Sequence, residues 1–372
     1  MRIALVGPVY PYRGGIAQYT TSLTHHLIQA GHQAEAFSFS RQYPAFLYPG
    51  KSDRDLGQPY QPIPAHYLLD PLYPWTWLKT AQAIRTFAPD LLVVQWWVTF
   101  WAPAYRGLLA AMGRRSCNMA FSIHNVMPHE ARPWDKLLAR LALGQTDRFL
   151  VHSASQKERL LSLLPGRRTV SCPLPVHDML ASAAVPQAEA RTRLGLRPDL
   201  PVILSFGLVR PYKGLEHLLA AAAALRDQGQ PVQVMVAGEF WSGKAACQRQ
   251  ISELGLQDLV HLDDRYIPNE EVGVVFSAAD ICAAAYTGGT QSGVVKMAMS
   301  YGTRLVISET IEEPLAPEMT AGLRVVPPAN PAALAEAIQS LLQVPAPGPE
   351  VAARVARASW DELVKAVEAL AA

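Results

Sequence analysis

Short apolar runs alternate with helical patterns along the whole chain, and this alternation breaks and restarts once near its middle. Such alternation is typical of βαβ units, in which helices connect buried parallel strands. The break lies in a polar, Pro-containing stretch over 173–200. The sequence therefore predicts two doubly wound α/β domains, over 1–180 and 181–355, with a functional crevice expected between them.

The segments with the pattern of buried strands form two series. In the first half they are 2–7, 33–40, 87–97, 119–125, 147–154 and 167–173. In the second half they are 201–207, 231–239, 258–264, 280–286 and 303–309. Helical spacing of apolar residues predicts helices over 12–32 and 214–228. Residues 41–75, which are rich in Pro and Tyr, are predicted to form a long irregular loop.

Composition excludes several classes of protein. The 372 residues are 50% hydrophobic and 17% charged, which supplies large cores and excludes a disordered chain. No apolar run is long enough to span a bilayer, and breaks at Pro8 and Pro11 argue against a signal peptide. The cysteines stand singly, which predicts neither disulfides nor a zinc site and favours a reducing, cytoplasmic location. Dispersed basic residues disfavour nucleic-acid binding.

The segment 205–219 places two cations between a predicted strand and a predicted helix. Arg210 and Lys213 are flanked there by Gly207 and Gly214. Two cations at the carboxyl end of a parallel strand suit a phosphate or diphosphate group. The alternative is a pair of solvated surface cations.

A second glycine-rich segment, 286–308, precedes another predicted helix. Gln291 and Ser292 offer polar contacts in this loop, and the first amides of the helix can meet an anion. The alternative is an ordinary turn before a well-capped helix. Gly14 and Gly15 also precede a predicted helix, where they would let an anion approach the backbone. Their spacing is not GxGxxG, and a tight turn is the alternative.

His124 ends a predicted strand and is followed by Asn125 and Glu130. A histidine at that position suits a catalytic or sugar-binding role, and a hydrogen-bonded core histidine is the alternative. The spacing of the nearby histidines is not HExxH, and Pro128 breaks a helix there, so we expect no metal.

The aromatic run over 95–105 follows another predicted strand and contains Trp96 and Trp97. Aromatic faces stack on sugars and settle at membrane interfaces. Packing in the core of the domain is an equal alternative.

Several short motifs follow one another in a characteristic order. In the second half they are G-x-x-x-x-x-K-G (207–214), VAGE (236–239), AADI (278–281), AMSYGT (298–303) and the stretch 322–338. In the first half they are GGI (14–16), PDLLVVQ (89–95) and HN (124–125). In order and spacing these motifs resemble the family 4-type (group 1) glycosyltransferases, over nearly the whole chain. The resemblance implies the GT-B fold, in which two Rossmann-like domains face each other across a cleft.

The resemblance implies an N-terminal domain that binds the acceptor and a C-terminal domain that binds a nucleoside-diphosphate sugar. It implies that the last helix, 356–372, crosses back onto the N-terminal domain. The implied activity is a retaining transfer of a hexose-type sugar to an acceptor hydroxyl, in glycan, glycolipid or polysaccharide synthesis. No metal or other cofactor is implied.

The resemblance also assigns roles to individual residues. Arg210 and Lys213 would bind the donor diphosphate and stabilise its charge during catalysis, and His124 would lie near the transferred sugar. The other implied donor-binding residues are Gly14, Gly15, Glu239, Arg265, Tyr266, Ile267, Gln291, Ser292, Gly293 and Val294. The acceptor-binding residues expected in the N-terminal domain are Trp96, Trp97, Asn125 and Glu130.

One pair of positions departs from the family pattern. The family's two glutamates, which contact the donor sugar and the ribose, correspond to Gly289 and Met297 in this chain. Neither is acidic, and the adjacent Lys296 cannot accept hydrogen bonds. This departure leaves open a non-catalytic homologue that binds nucleotide sugars. A nucleotide-sugar epimerase on the same two-domain scaffold is a separate alternative.

Charge is divided unequally along the chain. Residues 1–180 carry 18 Lys and Arg against 10 acidic residues, whereas the remainder carries 15 against 21. Because the basic half is the expected acceptor domain, we expect an anionic, for example phospholipid-linked, acceptor and peripheral contact with the inner face of a membrane. Drift of surface charge without a functional role is the alternative.

Overall fold

The computed structural model describes residues 1–44, 53–55, 62–113, 116–128, 132–176, 184–288, 292–312 and 317–372. The chain divides into two compact units, the first formed by Met1–Leu174 with Ser359–Ala372 and the second by Pro175–Ala358. The change of unit after Leu174 lies in the stretch that separates the two series of predicted strands.

The first unit contains a sheet with strand order β3-β2-β1-β4-β5-β6-β7. Its strands are β1 (Arg2–Val6), β2 (Gln33–Phe39), β3 (Ala65–Leu69), β4 (Leu91–Trp96), β5 (Asn118–Ile123), β6 (Arg148–Val151) and β7 (Arg168–Ser171). All neighbouring pairs are parallel, so the carboxyl ends of the strands lie at one edge. The strand order reverses between β1 and β4, which is where such sheets bind ligands.

Helices pack on both faces of this sheet. They are α1 (Gly15–Gln29), α2 (Pro74–Phe87), α3 (Ala102–Met112), α4 (Asp135–Leu143) and α5 (Ala154–Leu163). One core joins residues of α2 to α5 to one face of the sheet and includes the buried side chains of Trp96, Trp101 and Tyr105. Burial of such large aromatic groups stabilises this face strongly.

The opposite face is completed by the end of the chain. Helix α12 (Pro349–Glu368) begins in the second unit, and its last turns belong to the first. Trp360 and Leu363 of α12 are buried in one core with Ile3 of β1 and Leu23 of α1. Segments from the two ends of the sequence therefore share one core.

The second unit contains a parallel sheet with strand order β10-β9-β8-β11-β12-β13. Its strands are β8 (Val202–Phe206), β9 (Gln233–Ala237), β10 (Val260–Asp263), β11 (Ile281–Ala284), β12 (Arg304–Ser308) and β13 (Leu323–Val326). Its helices are α6 (Gln187–Arg193), α7 (Leu215–Asp227), α8 (Lys244–Glu253), α9 (Asn269–Ala278), α10 (Gly293–Ser300) and α11 (Pro331–Leu342). The order reverses between β8 and β11, which marks the second switch point.

Two edge strands differ from the sequence-based expectation. The loop predicted over 41–75 is wrong at its end, because β3 and the start of α2 lie there. β13 lies beyond the last predicted strand. Each strand has one neighbour and exposed side chains, such as Tyr67 and Val325, so neither shows the apolar run of a buried strand.

The predicted fold class is confirmed: each unit is a doubly wound α/β structure around a parallel sheet. No helix in the described parts of the chain combines the length and the apolar character needed to cross a bilayer.

Candidate functional site

In the second unit, the segment after β8 brings two cations to the carboxyl edge of the sheet. Arg210 precedes, and Lys213 ends, a short 3-10 turn that leads into α7. This segment runs beside the one after β9, because the amide of Val209 donates a 2.9 Å hydrogen bond to the carbonyl oxygen of Glu239. Three of the predicted donor-binding residues therefore lie on neighbouring loops.

Lys213 is half-buried, and its ammonium group is held in place. Its Nζ donates a 3.2 Å hydrogen bond to the carbonyl oxygen of Phe206 and lies 5.7 Å from the ring centroid of Tyr286. Burial lowers the pKa of Lys213 to about 8, because the charged form loses hydration. An anion bound at this ammonium would favour the charged form.

Gly207 leaves open the space beside this ammonium. A Cβ atom at Gly207 would lie 3.2 Å from Nζ of Lys213 and 3.4 Å from Cγ2 of Val294, in the first turn of α10. The backbone at Gly207 also has a φ of +84°, which favours glycine. The end of β8, the cation and the start of α10 therefore converge on one point.

Aromatic rings position the second cation. The guanidinium carbon of Arg210 lies 5.7 Å from the ring centroid of Tyr212 and 5.6 Å from that of Trp241. Cation–π contact restricts the orientation of the guanidinium group. This contact uses the face of the group, whereas its N–H donors lie in the plane of the group. Trp241 belongs to the segment after β9, so only the fold brings it to Arg210.

The N-terminus of α10 presents backbone amides at the same edge. Ser292 caps this helix, because its Oγ accepts a 3.3 Å hydrogen bond from the amide of Val295 and lies 3.1 Å from Oη of Tyr286. The first amides of a helix have no partner within the helix. Amides at this position, which include those of Gly293 and Val294, can bind an anion, and the helix dipole favours it.

The predicted base and ribose segment lies after β10. Arg265 is bound by two carboxylates of its own chain, Asp263 at 2.8 Å and Glu271 at 3.0 Å. The hydrogen bond to Glu271, more than that to Asp263, raises the pKa of the guanidinium. Tyr266 is half-buried and Ile267 is buried. Arg265 thus holds its own loop, and its contact with a donor stays a prediction.

In the first unit, Gly14 and Gly15 lie at the N-terminus of α1, after β1. Gly14 caps the helix with a φ of +102°, and its carbonyl oxygen accepts hydrogen bonds of 3.1 Å from Ala17 and Gln18. Apart from their chain neighbours and the backbone of α1, no described atom would lie within 4 Å of a Cβ at either glycine, an arrangement that favours close approach of a ligand to the backbone.

His124 follows β5 in the first unit and is buried, with 4% of its surface exposed. Its Nε2 lies 3.0 Å from Oε1 of Gln95, within hydrogen-bonding distance. Burial, and then His152, lower the pKa of His124 well below its ordinary value. The imidazole is therefore neutral near pH 7, and its catalytic role stays a prediction.

A polar cluster surrounds this imidazole. The ring of Tyr19 meets that of His124 edge to face at 4.7 Å, and the ring of His152 lies at 5.2 Å. Ser122 lies 3.2 Å from Nε2 of His152. Sequence reasoning did not find Tyr19, His152 or the role of Gln95. The signal that could have found Gln95 and Ser122 is a polar residue inside an otherwise apolar strand.

The two adjacent tryptophans have different environments. Trp96 is fully buried and donates a 3.2 Å hydrogen bond to the carbonyl oxygen of Val126, so its predicted contact with an acceptor is wrong. Trp97 is half-buried and donates 2.9 Å to Oη of Tyr43. Strand alternation explains the difference, because Trp96 is the last residue of β4 and faces the core.

The structure describes only some of the remaining predicted residues. Asn125 is half-buried beside His124, whereas Met297 is buried in α10. Glu130, Gln291 and Gly289 lie outside the described residues. Among the described residues, no group of three or more His, Cys, Asp or Glu side chains is arranged to hold a metal ion.

Comparison with known proteins matches both units to glycosyltransferase models. Residues 200–344 match the model described as "Glycosyl transferases group 1", and residues 13–176 match "Glycosyltransferase Family 4". Together these two models cover most of the chain.

Curated relatives are similar over part of the chain. A D-inositol 3-phosphate glycosyltransferase from Mycobacterium sp. (strain JLS) is 32% identical over 44% of this chain and 37% of its own length. The alpha-D-kanosaminyltransferase of Streptomyces kanamyceticus is 26% identical over 53% of this chain and 51% of its own. The matched part thus spans no more than about half of either relative.

Solved structures are similar over the whole chain. Sucrose-phosphate synthase from Thermosynechococcus elongatus has a TM-score of 0.63 and 22% identity, with 100% of this chain and 96% of that chain covered. Anabaena HepE in complex with UDP has a TM-score of 0.69 and 17% identity, with 100% and 98% covered. These likenesses concern the fold. The two family models and the fold agree, and the chain belongs to the family 4 (group 1) glycosyltransferases with the GT-B fold.

Proposed function

We propose that this protein is a retaining glycosyltransferase that moves a hexose-type sugar from a nucleoside-diphosphate sugar to an acceptor hydroxyl. The observation that carries the proposal is the convergence of Lys213, Gly207 and the first turn of α10 on one point. A dianionic diphosphate needs a fixed cation, backbone donors and room for its oxygens, and this place supplies all three.

The chemistry follows from those groups. The acceptor hydroxyl attacks the anomeric carbon on the face from which the diphosphate leaves, so the configuration is retained. The bond to the leaving oxygen breaks, and the departing phosphate takes the proton of the acceptor hydroxyl. Lys213, Arg210 and the amides of α10 stabilise the charge that develops on the diphosphate, which is usually the largest catalytic contribution.

We propose that the second unit binds the donor and that the first unit binds the acceptor at the carboxyl edge of its sheet. The neutral His124 would contact the transferred sugar, with Trp97 and Asn125 near the acceptor. An acceptor that carries phosphate suits the excess of cations in residues 1–180. The inositol-phosphate relative is named for such an acceptor. HepE is solved with UDP-glucose, which makes a UDP-sugar the first donor to test.

The first experiment is a thermal-shift screen of UDP-, GDP- and ADP-sugars, followed by transfer assays with the donor that binds. A donor at about 100 times its Kd should stabilise the native state by about 2.7 kcal/mol. We expect Lys213→Ala and Arg210→Ala each to lower kcat by about a hundredfold or more, whereas Arg249→Ala on the exposed face of α8 should not.

Three outcomes would overturn the proposal. Near-normal transfer by both variants would remove the assigned phosphate site. Conversion of the donor to its epimer without any acceptor would identify an epimerase. Donor binding with no turnover across phosphorylated and lipid-linked acceptors would identify a binding protein, which Gly289 and the buried, apolar Met297 make a real alternative.

A further inference from the structure

Three helices form a continuous layer on one face of the first sheet. α3 packs between α2 and α4, since it contacts both. The contact with α2 is close, because a Cβ atom at Gly107 would lie 2.3 Å from Cε3 of Trp77. Arg106 joins α3 to α4 by a 3.4 Å hydrogen bond to the carbonyl oxygen of Leu141. We call the solvent-exposed side of α2, α3 and α4 the helix face.

Large apolar side chains are exposed at both sides of the helix face. Trp75 and Leu78 on α2 are 63% and 61% exposed. On the other side, Trp134, directly before α4, and Leu137 within it are 55% and 60% exposed. Single exposed apolar residues are ordinary on protein surfaces, but two groups of large apolar side chains on one layer of helices indicate a binding surface.

The exposed apolar residues on α4 form a stripe. Trp134, Leu137 and Leu141 are spaced at i, i+3 and i+7, so they lie on one side of the helix, whereas Ala139 and Ala142 face the core. Helix α4 therefore has a second apolar side, directed to solvent, that packing within the unit does not explain.

Cations accompany these groups on α2, α3 and α4, and the described residues of these helices include no exposed carboxylate. Lys79, Arg85, Arg106, Lys136 and Arg140 lie on the three helices and are exposed. None of them forms an ion pair with a described residue. The only acidic residue in the three helices, all of which the structure describes, is Asp135.

Asp135 is buried and is satisfied within the unit. Its Oδ1 accepts a hydrogen bond from Thr99, and its Oδ2 accepts one of 2.6 Å from the amide of Arg132. The described residues of α2, α3 and α4 therefore make the helix face apolar and cationic, with no exposed carboxylate among them.

The exposed tryptophans lie at the functional edge of the sheet. Because all strands of this sheet are parallel, the helix that follows a strand starts at its carboxyl edge. α2 follows β3, and α4 follows β5, so Trp75 and Trp134 both lie toward that edge. Gly14 and His124 follow strands at this edge too.

We propose that the helix face rests on the surface of an anionic lipid bilayer. Trp and Leu side chains enter the interface between headgroups and acyl chains, and Lys and Arg bind the lipid phosphates. A protein partner would need acidic and apolar groups placed to match side chains that lie far apart on the helix face. An anionic bilayer has lipid phosphates and acyl chains over its whole surface, so it needs no such match. The surface would bring the acceptor edge close to lipid-linked substrates, but the docking itself does not depend on the proposed transfer.

Co-sedimentation of the full chain with vesicles tests the proposal. At low salt we expect binding to vesicles of equal parts phosphatidylglycerol and phosphatidylcholine, and little binding to pure phosphatidylcholine. Replacing Lys79, Lys136 and Arg140 by Gln should weaken binding by about fivefold per cation, or about a hundredfold together. The matched control replaces Arg249, Arg354 and Lys365 by Gln, which removes the same charge from exposed positions elsewhere.

A second set of variants tests the contribution of the exposed apolar side chains to vesicle binding. Trp75→Ser with Leu78→Ser, and Trp134→Ser with Leu137→Ser, should each weaken binding by about tenfold or more. Ile28→Ser with Val325→Ser removes two exposed apolar residues outside the helix face and should leave binding unchanged. Quenching of tryptophan fluorescence by brominated lipid should fall when Trp75 and Trp134 are both replaced by Phe, and unchanged melting temperatures would show that the variants fold.

The proposal is overturned if the wild-type chain does not bind the anionic vesicles. It is also overturned if the helix-face variants bind as the wild type does, or if the two sets of charge variants are equally weakened. A concentration-dependent dimer that the Ser variants dissociate would assign the helix face to a second copy of the chain instead.

Discussion

Lys213 donates a hydrogen bond of 3.2 Å to the carbonyl oxygen of Phe206, the last residue of β8. The ammonium is thus tied to the end of a buried strand, although lysine has a long flexible side chain. Arg210, three residues earlier, is positioned by aromatic rings. The two cations therefore differ in how they are held.

Donor affinity should decrease as the pH rises through the pKa of Lys213, which is about 8 in the free protein. Above that pH the free lysine is mostly neutral, so binding an anionic donor requires uptake of a proton. The dissociation constant of a nucleoside-diphosphate sugar should then rise by about tenfold per pH unit. Calorimetry between pH 7 and 9 measures this, and Lys213→Arg should give a flat profile because arginine stays charged.

Gly207→Ala should impair donor binding more than it impairs folding. The new methyl group would lie 3.2 Å from Nζ of Lys213, and the φ of +84° would strain any residue other than glycine. Gly229→Ala is the matched control, because its φ is +75° and no described atom lies within 4 Å of its Cβ. Equal losses of donor affinity in both variants would contradict the assigned site.

His124→Phe should destabilise the first unit by about 1–3 kcal/mol, because it leaves the buried amide of Gln95 without its partner. Adding Gln95→Leu removes that unpaired amide, so the double variant should be more stable than His124→Phe alone. Urea unfolding of His124→Phe, of Gln95→Leu and of the double variant gives the three values. A simple sum of the single effects would show that the hydrogen bond contributes little.

Trp360→Ala should lower the free energy of unfolding by about 3–5 kcal/mol, because the side chain is fully buried against α1. Its ring stacks on that of His26 at 4.4 Å. Glu362→Ala, at an exposed position of the same helix, should have little effect. Similar unfolding curves for the two variants would mean that α12 adds little to the core.

Buried strands were predictable from the sequence because they are apolar on both faces. β11 and β12 are examples, since almost all of their residues are buried between layers of helices. Edge strands were not predictable in this way, because β3 depends on backbone pairing with β2 and leaves His66 and Tyr67 exposed. The apolar pattern reports burial, and an edge strand is only partly buried.

The candidate site shows the same limit. Arg210, Lys213 and Ser292 stand next to strand ends and glycines, so local pattern indicates them. Trp241 and Gln95 act through partners in segments that follow other strands, and nothing in their own surroundings in the sequence marks those partners. The prediction for Trp96 was wrong because Trp96 and Trp97 are adjacent in the aromatic run. The sequence pattern does not show which of these two side chains faces the core.

The contribution of α12 to the first core bears on how the protein is made. Residues 359–372 leave the ribosome after the whole second unit has been synthesised. Until then Ile3, Leu5 and Leu23 lack part of the apolar surface that covers them in the native structure. The unit whose synthesis begins first therefore completes its core last. A nascent chain that stalls late would expose the apolar face of this sheet, which chaperones can bind and which promotes aggregation.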